Sequence, residues 1–433
     1  MYRGDGEMED LLALKKELFR CIHCKACMFS YSGEPDREGI GEYKGTLYEG
    51  MIEGCPSGSY YKLWEGYLNS GRMWIIRSML EGSLVPSESV RDLIYPCTTC
   101  GNCQAQCENK LPTVELIEAA RAACVEAGIP LLPKTAALGK NISQVNNPYA
   151  EKHEDRTKWL EGTKVKPKKD AKVAYFVGCT ASYREKQVAK ATAELLNKLG
   201  IEFAVLEDEV CCGSPLFRTG QRSEAKRVMN ENLKTFKDYD TLVFSCAGCY
   251  RTFKVDYPKY SKSKLPFTPK HTIELVADLI GQGKIKFKGS YNKKVTWHDP
   301  CHLMRHIALD LEREELAKST NWFLDEREIK RKKEEWYEIP RKILKAIPGL
   351  QLVEMYRIKE DAWCCGAGGG VKTQFPDLAL WTGIERVKEA EATGAQAIVT
   401  SCPFCVRNLR DAVNASGSKI EVVELLELLN QLV

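Results

Sequence analysis

Two hydrophobic patterns alternate along the second two-thirds of the chain. Short apolar runs within KVAYFVGCT (172–180), TLVFSCAGC (241–249), KKVTWHDPC (293–301) and AIVTSCPFC (397–405) have the length and β-branched content of buried strands. Between them, segments such as KQVAKATAELLNKLG (186–200) place apolar residues three to four positions apart and predict amphipathic helices. This alternation predicts α/β domains, each with an open parallel sheet. Residues 1–150 are mainly helical by pattern instead. In VELIEAARAACVEAG (114–128), Ile117, Ala120 and Cys124 share one helical face. A polar stretch follows, and 151–170, ending in KVKPKKD, reads as a linker.

The strand-and-helix pattern occurs twice. VCCGSPLFRTG (210–220) aligns with WCCGAGGGVKT (363–373), and TLVFSCAGCYRTF (241–253) with AIVTSCPFCVRNL (397–409). Apolar stretches TIELVADLI (272–280) and EVVELLELL (421–429) close the two copies. The repeat predicts duplicated α/β domains at 171–290 and 291–433. Its second copy is longer: 62 residues separate Cys301 from Cys364, against 31 between Cys179 and Cys211. A highly charged run at about 309–337 accounts for the excess. It reads as a solvent-facing helical hairpin, either a decoration or a surface on which a partner docks.

Composition narrows the classes. Sixty-three basic and 59 acidic residues nearly cancel to +4, which argues against nucleic acid. No apolar run approaches the roughly 18 residues of a membrane helix. The start, MYRGDGEMEDLLALKKELF, lacks the apolar core of an export signal. Nineteen cysteines, grouped in C-x-x-C spacings and odd in number, point to metal in a reducing compartment, hence the cytoplasm.

Cys21-x-x-Cys24-x-x-Cys27 and Cys97-x-x-Cys100-x-x-Cys103-x-x-x-Cys107 are ferredoxin signatures for two cubane 4Fe-4S clusters. Three thiolates two residues apart wrap one face of a cube, and a remote cysteine completes it. Cys107 is the candidate fourth ligand for Cys21, Cys24 and Cys27, although Glu108 follows it rather than proline. Cys55, followed by Pro56, is the candidate for Cys97, Cys100 and Cys103. Ten more cysteines form the repeat: Cys179, Cys211, Cys212, Cys246 and Cys249, then Cys301, Cys364, Cys365, Cys402 and Cys405. Adjacent cysteines do not readily close a disulfide with each other, but their thiolates reach two irons of one cluster. A zinc site from Cys246, Cys249, Cys402 and Cys405 is the competing reading; it leaves both doublets without work. Only Cys124 remains, as a buried core cysteine.

Taken together these motifs resemble the CCG-domain proteins, of which the heterodisulfide reductase catalytic subunit is the best-known type. The resemblance covers the whole chain. It implies that each set of five repeat cysteines holds a noncubane 4Fe-4S cluster and is catalytic. It further implies a disulfide substrate such as that of coenzyme M and coenzyme B, and a redox partner that is a membrane cytochrome b or a flavoprotein. Through such a partner the protein would sit at the membrane face. Relatives that link a flavin-dependent lactate or glycolate dehydrogenase, or a sulfite-reductase system, to membrane quinones supply the alternative, a pure electron relay. Retention of all ten cysteines favours the disulfide. Cutting one takes two electrons, which two clusters flanking the S–S bond would deliver singly. His298, His302 and His306 are candidate proton donors or backbone-bonded neighbours of the cluster. Arg251 and Arg305 are candidates for an anionic substrate tail or for neutralising cluster charge. The glycines of GAGGG (366–370) would let backbone N–H groups approach cluster sulfides. Trp363 reads as core packing.

Overall fold

The computed structural model describes residues 8–31, 46–48, 51–318 and 326–433. Three short antiparallel strands, β1 (Phe29–Tyr31), β2 (Thr46–Tyr48) and β3 (Met51–Glu53), lie in the order β1-β3-β2. The rest of the N-terminal region is helical, as the pattern predicts. Helices Asn69–Glu81, Glu88–Ile94 and Thr113–Glu126 pack around Met73, Ile76, Val90, Ile94, Ile117, Ala120 and Cys124. Cys124 is a buried member of that core, on the face that the spacing assigns to it.

Each repeat builds a small parallel sheet. In the first, β4 (Val173–Phe176) pairs with β5 (Thr241–Phe244), and β5 with β6 (Thr268–His271). In the second, β7 (Lys294–Trp297), β8 (Gln351–Val353), β9 (Ala397–Thr400) and β10 (Glu421–Glu424) lie in the order β10-β9-β7-β8. A single bridge, Ala174 to Ala204, occupies in the first copy the flank that β8 takes in the second. Parallel strands are covered on both faces, so they read as unbroken apolar runs. One continuous apolar core passes through both repeats, from Phe176 and Phe244 to Val295, Trp297 and Val399.

Three expectations change. The closing stretches do not match residue for residue: 272–280 lies within a helix, Thr272–Gly281, whereas 421–424 is strand β10. The strand that corresponds to β10 is β6, whose sequence Thr-Pro-Lys-His is polar and contains proline, a composition confined to sheet edges and invisible to a hydrophobicity scan. The 151–170 stretch is not a free linker. It contains a 3-10 helix, His153–Leu160, whose Trp159 is buried edge-on to Tyr175 at 6.2 Å. The charged run is not wholly solvent-facing either. It contributes to helices Arg305–Lys318 and Glu326–Ala346, and residues 319–325 lie outside the described residues. The second helix buries Trp336, Tyr337, Ile343 and Leu344. Trp336 donates to the carbonyls of Leu303 and Met304 at 3.1 and 3.2 Å, and its ring stacks over Tyr250 of the first repeat at 6.5 Å. Most of its charges lie on the outer face, while Glu312 and Arg341 are buried in ion pairs with Lys333 and Asp299, and the hairpin packs the two repeats against each other.

Candidate metal centres

The parallel sheets place the cysteines. Cys179 and Cys246 follow β4 and β5, and Cys301 and Cys402 follow β7 and β9, just beyond the strand C-termini. That is the edge where open parallel sheets build sites. Several sulfurs also sit at helix starts. Cys402 precedes Pro403–Ser416, Cys246 precedes Ala247–Arg251, and Cys55 precedes Pro56–Tyr60, where its sulfur accepts from Gly58 N–H at 3.4 Å. Unpaired N–H groups at such ends favour a thiolate over a thiol. A hydrogen bond from Cys246, another from Cys405 and those backbone groups hold the Cys402 thiol well below its usual range.

The ten repeat sulfurs form one continuous chain of thiol–thiol hydrogen bonds. In the first repeat it runs from Cys179 to Cys211, Cys212, Cys249 and Cys246. From Cys246 it crosses to Cys402, then passes through Cys405 and Cys365 to Cys364 and Cys301. Hydrogen bonds from Cys211 and Cys249 pull Cys212 down to about 6, and the matching bonds from Cys364 and Cys405 pull Cys365 well down. Each doublet thus holds the most acidic thiol or one of the most acidic thiols of its repeat. Both doublets are integral to the array, which a zinc site on the two C-x-x-C pairs leaves unused. The array borders a cavity of about 270 Å³, lined by sulfurs of both repeats together with Tyr149, Phe404, Ser214, Thr373 and His302.

The N-terminal cysteines form two groups. Cys21, Cys24, Cys27 and Cys107 line one small cavity; Cys55, Cys97, Cys100 and Cys103 line another. Burial pushes Cys27 up to about 12 and Cys55 up to about 11. Buried thiols of this kind ionise only where a cation replaces the proton. The donor set, eight sulfurs in two fours and ten in two fives, fits iron-sulfur clusters. The second N-terminal group also touches the repeats: the Cys100 thiol is hydrogen-bonded to Cys364.

Within the glycine run Gly366 N–H donates to Cys364 Sγ at 3.3 Å, and the run serves a second purpose as well. A Cβ on Gly368 would stand 2.5 Å from the Thr98 carbonyl oxygen, and one on Gly369, whose φ is +63°, would stand 2.3 Å from that of Cys97. These glycines let the second-repeat loop lie backbone to backbone on the Cys97–Cys103 loop. Arg251 and Arg305 do not line the large cavity. Arg251 is paired with Asp256 at 2.6 Å, and Arg305 donates to the carbonyls of Cys100, Glu360 and Ala362. His306 bonds the Thr99 carbonyl at 2.9 Å, while His302 borders the cavity, its Nε2 without a partner among the described residues. Trp363 is buried with its N–H on the Thr382 carbonyl at 3.0 Å, as core packing requires. Two residues escaped the sequence. Arg156 donates to Cys179 Sγ at 3.3 Å and pairs at 2.6 Å with Glu209, whose carboxylate also accepts from Val177 and Gly178 N–H. Both are charged residues in polar stretches, and nothing in the local pattern marks them as buried.

Fold and donor set define an iron-sulfur protein with a ferredoxin-type domain and two cysteine-rich repeats. Family comparison agrees: the model for the cysteine-rich domain matches residues 173–254 and 327–410, and that for the 4Fe-4S dicluster domain matches 17–111. The chain is 40% identical to a subunit of dihydromethanophenazine:CoB–CoM heterodisulfide reductase from Methanosarcina barkeri, over 95% of this chain and 93% of that protein. It is also 40% identical to the corresponding subunit from Methanosarcina acetivorans, over 85% of each chain. Against a subunit of fumarate reductase (CoM/CoB) from Methanothermobacter marburgensis identity is 32%, over 79% of this chain and 62% of the other. The chain belongs to the family of these heterodisulfide reductase subunits, iron-sulfur oxidoreductases with two cysteine-rich repeats. A subunit of this kind works with partner subunits. Among the described residues, no helix is long and apolar enough to cross a membrane.

Proposed function

We propose that the protein reduces the mixed disulfide of coenzyme M and coenzyme B in the cavity between its repeats. The balanced step is R–S–S–R′ plus two electrons and two protons, giving R–SH and R′–SH. The observation that carries this reading is the unbroken sulfur array around one cavity, joined across the repeats by Cys246 and Cys402. A disulfide in that cavity meets all five cysteines of the first repeat and Cys301, Cys365, Cys402 and Cys405 of the second, with Cys364 directly behind them.

In this reading Cys21, Cys24, Cys27 and Cys107 hold one cubane cluster, and Cys55, Cys97, Cys100 and Cys103 the other. Cys179, Cys211, Cys212, Cys246 and Cys249 hold one noncubane 4Fe-4S cluster, and Cys301, Cys364, Cys365, Cys402 and Cys405 its counterpart. When bound, the clusters supply single electrons and iron sites for sulfur. The chain's own residues set the order: Cys24, the exposed cysteine of its group, marks the entry side, and Cys100 against Cys364 leads into the second repeat first. Cys246 against Cys402 then joins the second repeat to the first. Buried and facing Arg251, His302 is pushed down to about 4, so its ring is neutral near pH 7 and suits relaying a proton at the cavity wall. The electron donor is a membrane cytochrome b or a flavoprotein docked near Cys24, which holds the protein at the membrane face.

The test is EPR on anaerobically purified, oxidised protein titrated with coenzyme M and coenzyme B thiols, with an iron count. A paramagnetic signal that grows with thiol, at iron sufficient for four clusters, is expected. Cys212→Ser and Cys365→Ser should each abolish it together with disulfide reduction. Four clusters whose spectra ignore every thiol would instead favour a relay from a flavin dehydrogenase to quinone.

A further inference from the structure

His298 stands at the end of β7, three residues before Cys301, and is almost wholly buried. Its backbone N–H donates to the Val399 carbonyl at 2.9 Å, and its own carbonyl accepts from Thr400 Oγ1 at 3.1 Å, so the backbone is fixed in the sheet. Arg386, also buried, donates its Nε–H to His298 Nδ1 at 3.2 Å. Arg386 is anchored in turn by the Arg357 carbonyl at 2.9 Å and the Glu389 carboxylate at 2.8 Å. A guanidinium nitrogen only donates. Nδ1 must therefore accept, and the ring proton resides on Nε2. That nitrogen is buried and has no hydrogen-bond partner among the described residues. A ring nitrogen of His298, Cys365 Sγ and Cys405 Sγ all lie within 4.8 Å of one another.

We propose that His298 is a positioning residue for the second repeat's metal centre, its Nε2–H directed at the Cys365 and Cys405 sulfurs and donating to them once they bind metal. The proposal rests on the reading that this repeat holds a cluster. A donor at a ligand sulfur draws density away from the metal, favours the reduced state and raises the potential. Arg386 sets the tautomer, as the partner of a metal-site histidine commonly does. The first repeat is built differently. Phe176 occupies the equivalent place, three residues before Cys179, and packs on Phe244 and Phe253. Its nitrogen donor is Arg156, which arrives from another element and reaches Cys179 rather than the doublet. The two centres are thus tuned by different groups at different cysteines, and the second, beside Cys100, receives the neutral donor.

The experiment uses cluster-loaded, full-length protein, grown with ¹⁵N-histidine, and compares wild type with His298→Phe and His298→Gln. Pulsed EPR of the paramagnetic second-repeat centre should show weak ¹⁵N coupling that disappears in His298→Phe. Redox titration should place that centre's midpoint lower in His298→Phe at unchanged iron content, with substantial recovery in His298→Gln, which keeps an N–H donor. An unchanged midpoint in fully loaded His298→Phe would overturn the proposal. So would wild-type spectra without ¹⁵N coupling, a result that decides the matter even if the variant loses iron. Coupling of the size given by directly bound imidazole would replace the hydrogen bond with ligation. Wild-type iron sufficient for only two clusters would overturn the cluster reading itself, which separates the two failures.

Discussion

Arg121 donates five hydrogen bonds to backbone carbonyls: Ile94, Tyr95 and Cys97 of the N-terminal domain, Arg218 of the first repeat and Gly369 of the second. The guanidinium is fully buried, and desolvation lowers its pKa. Five carbonyl dipoles offset that burial and tie three parts of the chain to the cluster loop at Cys97. Arg121→Met keeps the stem but strands the carbonyls, each a costly orphan. The expected loss is about 3–5 kcal/mol. Urea unfolding of the loaded protein checks it; an unchanged midpoint would mean that other donors serve those carbonyls.

At the scale of elements, the last helix carries a pH-dependent cap. Glu424 accepts from Leu426 and Glu427 N–H at 2.6 and 3.1 Å, at the start of Leu425–Leu432. Burial, and then the charge of Glu427, raise its pKa from 4.5 to about 8. Between those values the folded chain holds a proton that the unfolded chain has released. Its contribution is therefore greatest below about pH 4.5 and is lost as pH rises toward 8. Glu424→Gln should remove up to a few kcal/mol of stability change between pH 5 and pH 8. Denaturation midpoints of both proteins at the two pH values test this, and equal slopes would refute it. The insertion hairpin gives a second test. Trp336→Ala should cost about 3–5 kcal/mol, whereas Arg331→Ala on the outer face should leave the unfolding midpoint unchanged.

For the whole molecule, the decisive feature is how closely the ferredoxin-type domain lies on the second repeat. Gly369→Ala drives a methyl into the Cys97 carbonyl and strains a backbone at φ +63°. The N-terminal clusters should remain loaded, while electron passage from Cys100 toward Cys364 slows. Stopped-flow reduction by a protein donor separates these effects: the cubane absorbance changes at its wild-type rate, and reduction of the repeat-held centres lags. Unaltered rates in both phases would mean that the contact is not the route.

The local sequence determined strands β4, β5, β7 and β9, the duplication, the buried Cys124 and the cysteine spacings, because spacing along a strand, helix or loop is a covalent fact readable from the chain. It also pointed to the grouping of Cys55 with Cys97, Cys100 and Cys103, which line one cavity. It did not show that Cys246 meets Cys402 or that Cys100 meets Cys364, contacts between residues far apart in the chain. Nor did it mark the buried face of the charged hairpin, the proline-containing strand β6, or the polar groups Arg121, Arg156 and the Arg386–His298 pair. Charge and polarity place a residue at the surface by default. Only tertiary structure supplies the carbonyls, carboxylates and sulfurs that make burying such groups favourable.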